Sequence, residues 1–364
     1  MLITNASKNI LERVEFSALP HWDYDDHAKA LLAFRQSAQE ILSTGHGFRR
    51  PSLYGGTRED WLAICSKAGA AHDARHFFET EFQAISVAGQ SPGLFTGYYE
   101  PQVRGSLSPN SIFTVPIYAR PPELFVYDVP EHATANPEQT EVQADLQPYF
   151  TRQQIEQSAL KHRGLELCYV HSWEDAYFIH IQGNGCILLD DGRALHLSFA
   201  AKNGHTYKSI GRVLLARGVG TAEIMSMQFL KSWMSDNPKQ ARELMWENPS
   251  FIFFKADTKI HRELGAVGAA QVQLTPLRSL AVDRAIWALG TPLFLSTHLP
   301  PQAGGDEFNH LMIAQDTGSA IKGIMRGDIY FGWGKEAELA AGHMQQPGKI
   351  IALLPKSLAK RLLP

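Results

Sequence analysis

Six short runs after Pro249 constrain the fold more than any other feature of the chain: SFIFFK, QVQLTPLRSLAVD, PLFLST, HLMIAQD, GDIYFG and KIIALLP. They are rich in β-branched and aromatic residues and are punctuated by Gly, Pro, Asn and Asp, which predicts strands. An earlier series, ELCYVHS, AYFIHIQ, GCILLD and RALHLSF, has the same character at closer spacing. Its turn residues are Gly183-Asn184-Gly185, Asp191-Gly192 and Asn203-Gly204, a rhythm that predicts a small antiparallel barrel. LFTGYYEPQVRG (94–105) reads as a further strand ending in turn residues.

Helices are predicted at the front and in the middle. Asp25-Asp26 cap a run with Leu31, Leu32, Phe34, Ala38, Ile41 and Leu42 on one side, ended by Gly45. A second helix is predicted from Thr57, a third from about Asp73 to Phe82, and a central pair capped near Thr221 and Asn237. Residues 120–148 are proline-rich and acidic, a long connection with little periodicity.

At 364 residues the chain suits two domains, or one with an insertion. A net charge of −3 argues against a nucleic-acid binder held by bulk electrostatics. No stretch has the apolar length of a membrane span. The start, MLITNASKNILERVEF, lacks a basic segment followed by an apolar one. Cys65, Cys168 and Cys186 fit neither zinc spacing nor a disulfide framework, so buried thiols are expected.

The chemistry concentrates in HLMIAQDTGSAIKGIMRGDIYFGWG (310–334). Asp316 ends one apolar run, Asp328 begins another, and Tyr330, Phe331 and Trp333 follow, spaced by glycines. Acids beside flat aromatic faces suit a polysaccharide cleft, where an acid moves a proton and aromatics stack on sugar rings. Asp283 occupies a similar strand end. Taken singly, each acid fits a turn or a cap. Three strand ends in one β-rich region can converge, which would separate carboxyl pKa values into a protonated acid and an ionised partner.

Competing motifs are weaker. Asp316-Thr317-Gly318-Ser319 matches the core of aspartic proteases, but the second such motif a single-chain protease needs is missing. His72 and His76 stand four apart on a predicted helix without a third ligand, so no metal or other cofactor is expected. There is no phosphate-binding loop and no G-x-S-x-G elbow. Tyr98 and Tyr99 are adjacent in a strand, so one is expected in the core and the other in a cleft. Gln182-Gly183-Asn184-Gly185 reads either as a hairpin or as amides for sugar hydroxyls.

Taken in order, FTGYYEP (95–101), PIYARPP (116–122), HIQGNG (180–185), KNGHTYKSIGRVL (202–214), MSMQFLKSW (225–233), NPSFIFFK (248–255), AVDRAIWALGTPLFL (281–295), DTGSAIKG and GDIYFGWG (327–334) resemble the membrane-bound lytic murein transglycosylase A family. The resemblance runs from about Leu94 onward; the front helices match less distinctively.

The resemblance implies a mainly β fold: a double-psi β-barrel with an inserted smaller β domain and peripheral helices. Residues 1–105 and 248–364 would form the barrel domain with the N-terminal helices, and 106–247 the insert, with a glycan groove between them. The implied activity cleaves the β-1,4 bond between N-acetylmuramic acid and N-acetylglucosamine, leaving a 1,6-anhydro end. By motif position Asp328 would be the single catalytic acid, with Asp316 and Asp283 in support. Thr96, Tyr98, Gln182, Gly183, Ser209 and Lys255 would bind substrate. The implied setting is a periplasmic monomer, outer-membrane anchored in full-length form, acting on peptidoglycan strands and meeting other cell-wall enzymes. Two rival readings remain: an inverting hydrolase of a β-1,4 glycan that uses two aspartates, and a non-catalytic wall-binding module.

Overall fold

The computed structural model describes residues 11–124, 148–257, 261 and 264–363. In chain order its strands are β1 (Leu11–Val14), β2 (Phe82–Val87), β3 (Gly93–Glu100), β4 (Gln102–Ser106), β5 (Val115–Tyr118), β6 (Glu166–Val170), β7 (Asn184–Leu189), β8 (Ala194–Lys202), β9 (Ile252–Asp257), β10 (Ser279–Val282), β11 (Pro292–His298), β12 (Glu307–Asp316), β13 (Arg326–Trp333) and β14 (Gln345–Pro355). The principal helices are α1 (His27–Ser43), α2 (Glu59–Ala68), α3 (Ala74–Glu81), α4 (Trp173–Gln182), α5 (Ile210–Ala216), α6 (Met227–Asp236), α7 (Pro238–Trp246), α8 (Gly334–His343) and α9 (Lys356–Leu362). The chain forms two compact units: 1–98 with 268–332 and 344–364, and 99–267 with 333–343. The boundaries expected at 105/106 and 247/248 both fall inside the second unit.

The first unit is a closed ring of six strands, β14-β11-β12-β10-β13-β3, with β3 pairing back onto β14; β2 and β1 extend it beyond β14. Period-2 alternation sorts the side chains. Phe95, Leu280, Val282, Leu293, Leu295, Met312, Ala314, Ile329, Ala352 and Leu354 meet in one core. Their neighbours Phe294, Leu311, Ile313 and Leu353 point the other way, into a second core with Trp22, Phe34, Trp61 and Phe78 of the front helices. At the closing seam Gly93 pairs with Gly348. A Cβ on Gly93 would lie 1.6 Å from the Met325 carbonyl oxygen, and one on Gly348 2.7 Å from that of Ser296, so side chains here would hold the strands apart.

Two of the front helices form where their caps predicted them. The Asp26 carboxylate accepts the Lys29 N–H at 3.0 Å at the head of α1, and Asp73 accepts the His76 N–H at 2.9 Å at the head of α3. Leu32 and Leu42, expected on the buried side of α1, are exposed. Asp25 is buried instead: Arg278 donates two hydrogen bonds to its carboxylate, His310 and the Leu311 N–H contact it as well, and all lie within 3.1 Å.

The second unit holds a six-stranded sheet of order β5-β6-β4-β7-β8-β9. A single bridge from Ala119 to Phe254 links its two edges. The antiparallel expectation fails at one pairing, since β4 and β7 run parallel. AYFIHIQ is not a strand but most of α4. Ser172 caps it by accepting the Asp175 N–H at 3.0 Å, Glu174 and Asp175 favour its positive N-terminal end, and Gly183 closes it in the left-handed region at φ 74°. Gly183-Asn184 therefore joins a helix to a strand and is not a hairpin. The central helices number three; Ser226, not Thr221, caps α6. Most of the proline-rich connection, 125–147, and the chain start, 1–10, lie outside the described residues.

All three cysteines are free and buried. Burial pushes the Cys65 and Cys168 thiols up to about 12, which keeps them protonated and inert.

Candidate active site

The strand order β12-β10-β13-β3 places Asp316, Ala281, Asp328 and Thr96 side by side. Ala281 pairs with Asp328 across the antiparallel β10–β13 ladder, and with Asp316 across the parallel β10–β12 ladder. Leu280 and Val282 face the ring core, so Ala281 faces outward with Asp328. Strict alternation along β12 would turn Asp316 away from this face, because Ala314 points into the core. A register shift between Leu280 and Ala281 skips Gln315 and brings Asp316 opposite Ala281. Irregularities of this kind re-aim a side chain where a regular strand could not.

Tyr98 closes the cluster. It shares its face with Thr96, stacks against Tyr330 at 5.2 Å between ring centroids, and donates its hydroxyl to Asp316 Oδ2 at 3.0 Å. Asp316 Oδ1 accepts the N–H groups of Ala269 and Thr317 at 3.0 and 2.9 Å. Asp328 is served differently. Among the described residues its hydrogen-bond donor is the Thr96 hydroxyl, 2.5 Å from Oδ1. Arg326 Nη2 in turn donates to the Thr96 hydroxyl oxygen at 2.8 Å.

Both carboxyls keep some surface open to solvent, yet dense protein around them dominates their protonation. Burial pushes Asp328 above the usual carboxylate range, against the Arg326 charge and the Thr96 hydrogen bond, which pull it down. Burial likewise pushes Asp316 up, against its two N–H donors and Tyr98, and the Asp328 charge adds to the rise. Asp316 is thus not simply an ionised partner, as expected, but a second raised acid with a better-satisfied carboxylate. Asp316 is held by three uncharged donors, whereas Asp328 has one hydroxyl donor and the pull of the Arg326 charge. Burial, followed by the charges of Asp316 and Asp328, holds the Tyr98 phenol well above its ordinary value, so it remains a donor.

The other expected residues lie elsewhere. Asp283 is buried after β10, and its carboxylate accepts the Ala285 and Gly323 N–H groups at 3.1 and 2.9 Å, tethering two loops. Gln182 accepts the Tyr99 N–H at 3.1 Å, and Ser209 caps α5 with its hydroxyl. Gly183 is the C-cap of α4, and Lys255 is exposed on β9; these four belong to the second unit. Tyr330 is fully buried, so of the expected aromatic platform only Phe331 and Trp333 show surface. His76 is on α3 but His72 precedes it, so the pair does not share a helix. Among the described residues no group of three or more His, Cys, Asp or Glu side chains is placed to hold a metal ion. Sequence reasoning missed Arg326 and the Ala269 N–H. The basic residue two positions before Asp328 was a visible signal; the amide was not.

A closed six-stranded ring thus carries two raised carboxyls on one face, the arrangement of a protein that works by proton transfer, and the chain is interrupted by a second β unit. Residues 94–255 match the family described as the MltA specific insert domain, and 278–354 match the 3D domain. A membrane-bound lytic murein transglycosylase A of Vibrio cholerae is 34% identical over 276 residues, covering 74% of this chain and 68% of the relative. The crystal structure of a membrane-bound lytic murein transglycosylase from Agrobacterium tumefaciens superposes with a TM-score of 0.83 at 34% identity, over 97% of this chain and 99% of that one. The structure of Escherichia coli MltA with bound chitohexaose gives a TM-score of 0.66 at 31% identity, covering 89% and 90%. The chain belongs to the membrane-bound lytic murein transglycosylase A family.

Proposed function

We propose that the protein is a lytic transglycosylase that cleaves the β-1,4 bond between N-acetylmuramic acid and N-acetylglucosamine in peptidoglycan, with Asp328 as its one proton carrier. The observation that carries this reading is the sparse setting of Asp328: a carboxyl in dense protein with a single hydroxyl donor among the described residues, raised above the usual carboxylate range and so favoured as a proton donor. In the first step the protonated Asp328 donates to the glycosidic oxygen, and the bond to the muramoyl C1 breaks as positive charge builds there. In the second, the muramoyl C6 hydroxyl attacks C1 and passes its proton to the Asp328 carboxylate, which restores the acid. No water enters, and the product ends in a 1,6-anhydro ring.

This chemistry explains why one acid suffices. A hydrolase needs a second carboxylate to activate water or attack the sugar. Here the nucleophile is carried by the substrate, and proximity replaces that group. Asp316, held by Tyr98 and two N–H groups, is a second carboxyl on the same face, which when ionised places negative charge beside the developing cation. Asp283 supports the site indirectly, by tying the loop after β10 to the loop before β13. Within the second unit, Trp333 offers apolar surface to sugar rings, and Gln182, Gly183, Ser209 and Lys255 are candidate glycan contacts. Binding of chitohexaose by the E. coli relative supports a site for β-1,4-linked N-acetylhexosamines. The relatives' membrane-bound description supports work at the cell envelope; among the described residues no helix is long and apolar enough to cross a membrane.

Mass spectrometry of the fragments released from purified peptidoglycan tests the reaction. Muropeptides ending in 1,6-anhydromuramic acid are the expected product. Reducing ends with one added water would assign the protein to the inverting hydrolases, and no release at all, with binding retained, to the wall-binding modules.

A further inference from the structure

Arg326 occupies an unusual position for a cation two residues from a catalytic acid. It does not pair with the carboxylate of Asp328. Its Nη2 instead donates to the Thr96 hydroxyl oxygen at 2.8 Å, while Nη1 reaches the carbonyl oxygens of Leu94, at 3.3 Å, and Gly327. These contacts fix the guanidinium against the backbone of β3 and β13. A direct ion pair would hold Asp328 ionised and remove the proton the reaction needs. Routing the contact through a hydroxyl keeps the cation close while leaving the carboxyl able to hold its proton.

A hydroxyl has one proton and two lone pairs. With a lone pair of Thr96 taken by an obligate donor, its proton is left to point at Asp328 Oδ1. Oδ1 is then an acceptor, and the acidic proton belongs on the other oxygen, Oδ2. We infer that Arg326 is a positioning residue for the transglycosylation: acting through Thr96, it makes Oδ2 of Asp328 the oxygen that gives and takes the proton. The inference rests on Asp328 being the proton carrier. Of the neighbours on this face, Ala281 is apolar and Tyr98 is committed to Asp316.

The charges facing Asp328 are few. Arg326 lies on its own strand, Asp316 across β10 on β12, Tyr98 on β3 and Tyr330 on β13. Removing Arg326 therefore removes the one cation that, among the described residues, acts on Asp328, and frees the Thr96 rotor together. Removing the Thr96 hydroxyl takes away the same arm from its other end.

The test compares kcat and kcat/KM across pH for wild type, Arg326→Met, Arg326→Lys, Thr96→Val and the double variant, with anhydro product as the readout. Arg326→Met is expected to lower kcat about tenfold, the loss one positioning hydrogen bond accounts for, and to move the alkaline limb of the profile upward. Arg326→Lys keeps a donor and the charge, so it should restore the position of the limb and part of the rate. Thr96→Val combined with Arg326→Met should cost little more than Thr96→Val alone, because both break one arm. Additive losses, or an alkaline limb that stays put in Arg326→Met, would overturn the inference and leave Arg326 a structural tie. Asp328→Asn is run in parallel. If it retained turnover, the assignment of the proton carrier itself would fail, whatever the Arg326 variants did.

Discussion

Asp25 and Asp328 are both aspartates drawn into dense protein, and their surroundings take them in opposite directions. Asp25 receives two hydrogen bonds from Arg278, a contact from His310 Nδ1 at 2.7 Å and the Leu311 N–H at 2.7 Å. Those partners overcome burial and hold its carboxyl far below the usual range. Asp328 receives one hydroxyl, with its nearest cation turned aside to that hydroxyl, and burial wins. Depth alone therefore does not decide protonation; the number and charge of donors do. Asp316 stands between them, with three donors but none of them charged. One barrel thus contains a carboxylate that fastens structure and a carboxyl kept as an acid.

The largest expected effect separates the two by function. Asp328→Asn keeps the size of the side chain and loses the acid, so turnover should fall by about 10²–10⁴-fold while glycan binding persists. Turnover assays beside binding to insoluble peptidoglycan check this; near-normal turnover would erase the functional half of the contrast. Asp25→Asn should break the structural half. Removing one partner of a buried pair leaves Arg278 uncompensated and is expected to cost about 3–5 kcal/mol of stability, read by urea unfolding.

The pH dependence of stability sharpens the contrast further. The Asp25 pKa is lower folded than unfolded, so its contribution is complete above the unfolded value of about 4 and is lost as pH falls below it. Asp328 and Asp316 are raised, so the folded state holds their protons longer, and they cost stability as pH rises from about 4 through their folded values. Asp328→Asn should accordingly unfold at higher denaturant than wild type at neutral pH, and the two should converge in acid. Asp328→Asn also removes the negative neighbour that raises Asp316, so in a ¹³C NMR titration the Asp316 carboxyl of that variant should titrate lower than in wild type.

The smallest effect concerns the other unit. Gly183 ends α4 at φ 74° with open space around it, so Gly183→Ala meets backbone strain alone and should cost about 1 kcal/mol by thermal or urea unfolding. A much larger loss would mean that the motif is packed more tightly than the geometry indicates.

The acids were legible in the sequence because each sits beside a strand signal, and the ring strands were legible because one face of each is apolar. The helix caps at Asp26 and Asp73 were legible for the same local reason. The misread segment, Ala176 to Gln182, is apolar except for His180 and Gln182, whose alternation with Ile179 and Ile181 imitates a strand, and the run is too short to show a helical period. Its answer lay in the flanks, Ser172 with Glu174 and Asp175 before it and Gly183 after it. Less accessible were features that depend on distant partners. The irregularity that turns Asp316 onto the Asp328 face exists only once β10 lies beside β12. The Ala269 N–H comes from 47 residues away. The burial of Asp25 depends on Arg278, 253 residues along the chain, and in the sequence it passes for half of a helix cap.

The most direct test of the contrast is a ¹³C NMR titration of the aspartate side-chain carboxyl carbons, with the Asp328 and Asp25 signals assigned from Asp328→Asn and Asp25→Asn. The account predicts that the Asp328 signal titrates above the ordinary aspartate value of about 4, while the Asp25 signal stays that of an ionised carboxylate down to the acid limit of folding. An Asp328 signal that titrates at or below the ordinary value would contradict it, since a carboxyl already ionised has no proton to give to the glycosidic oxygen.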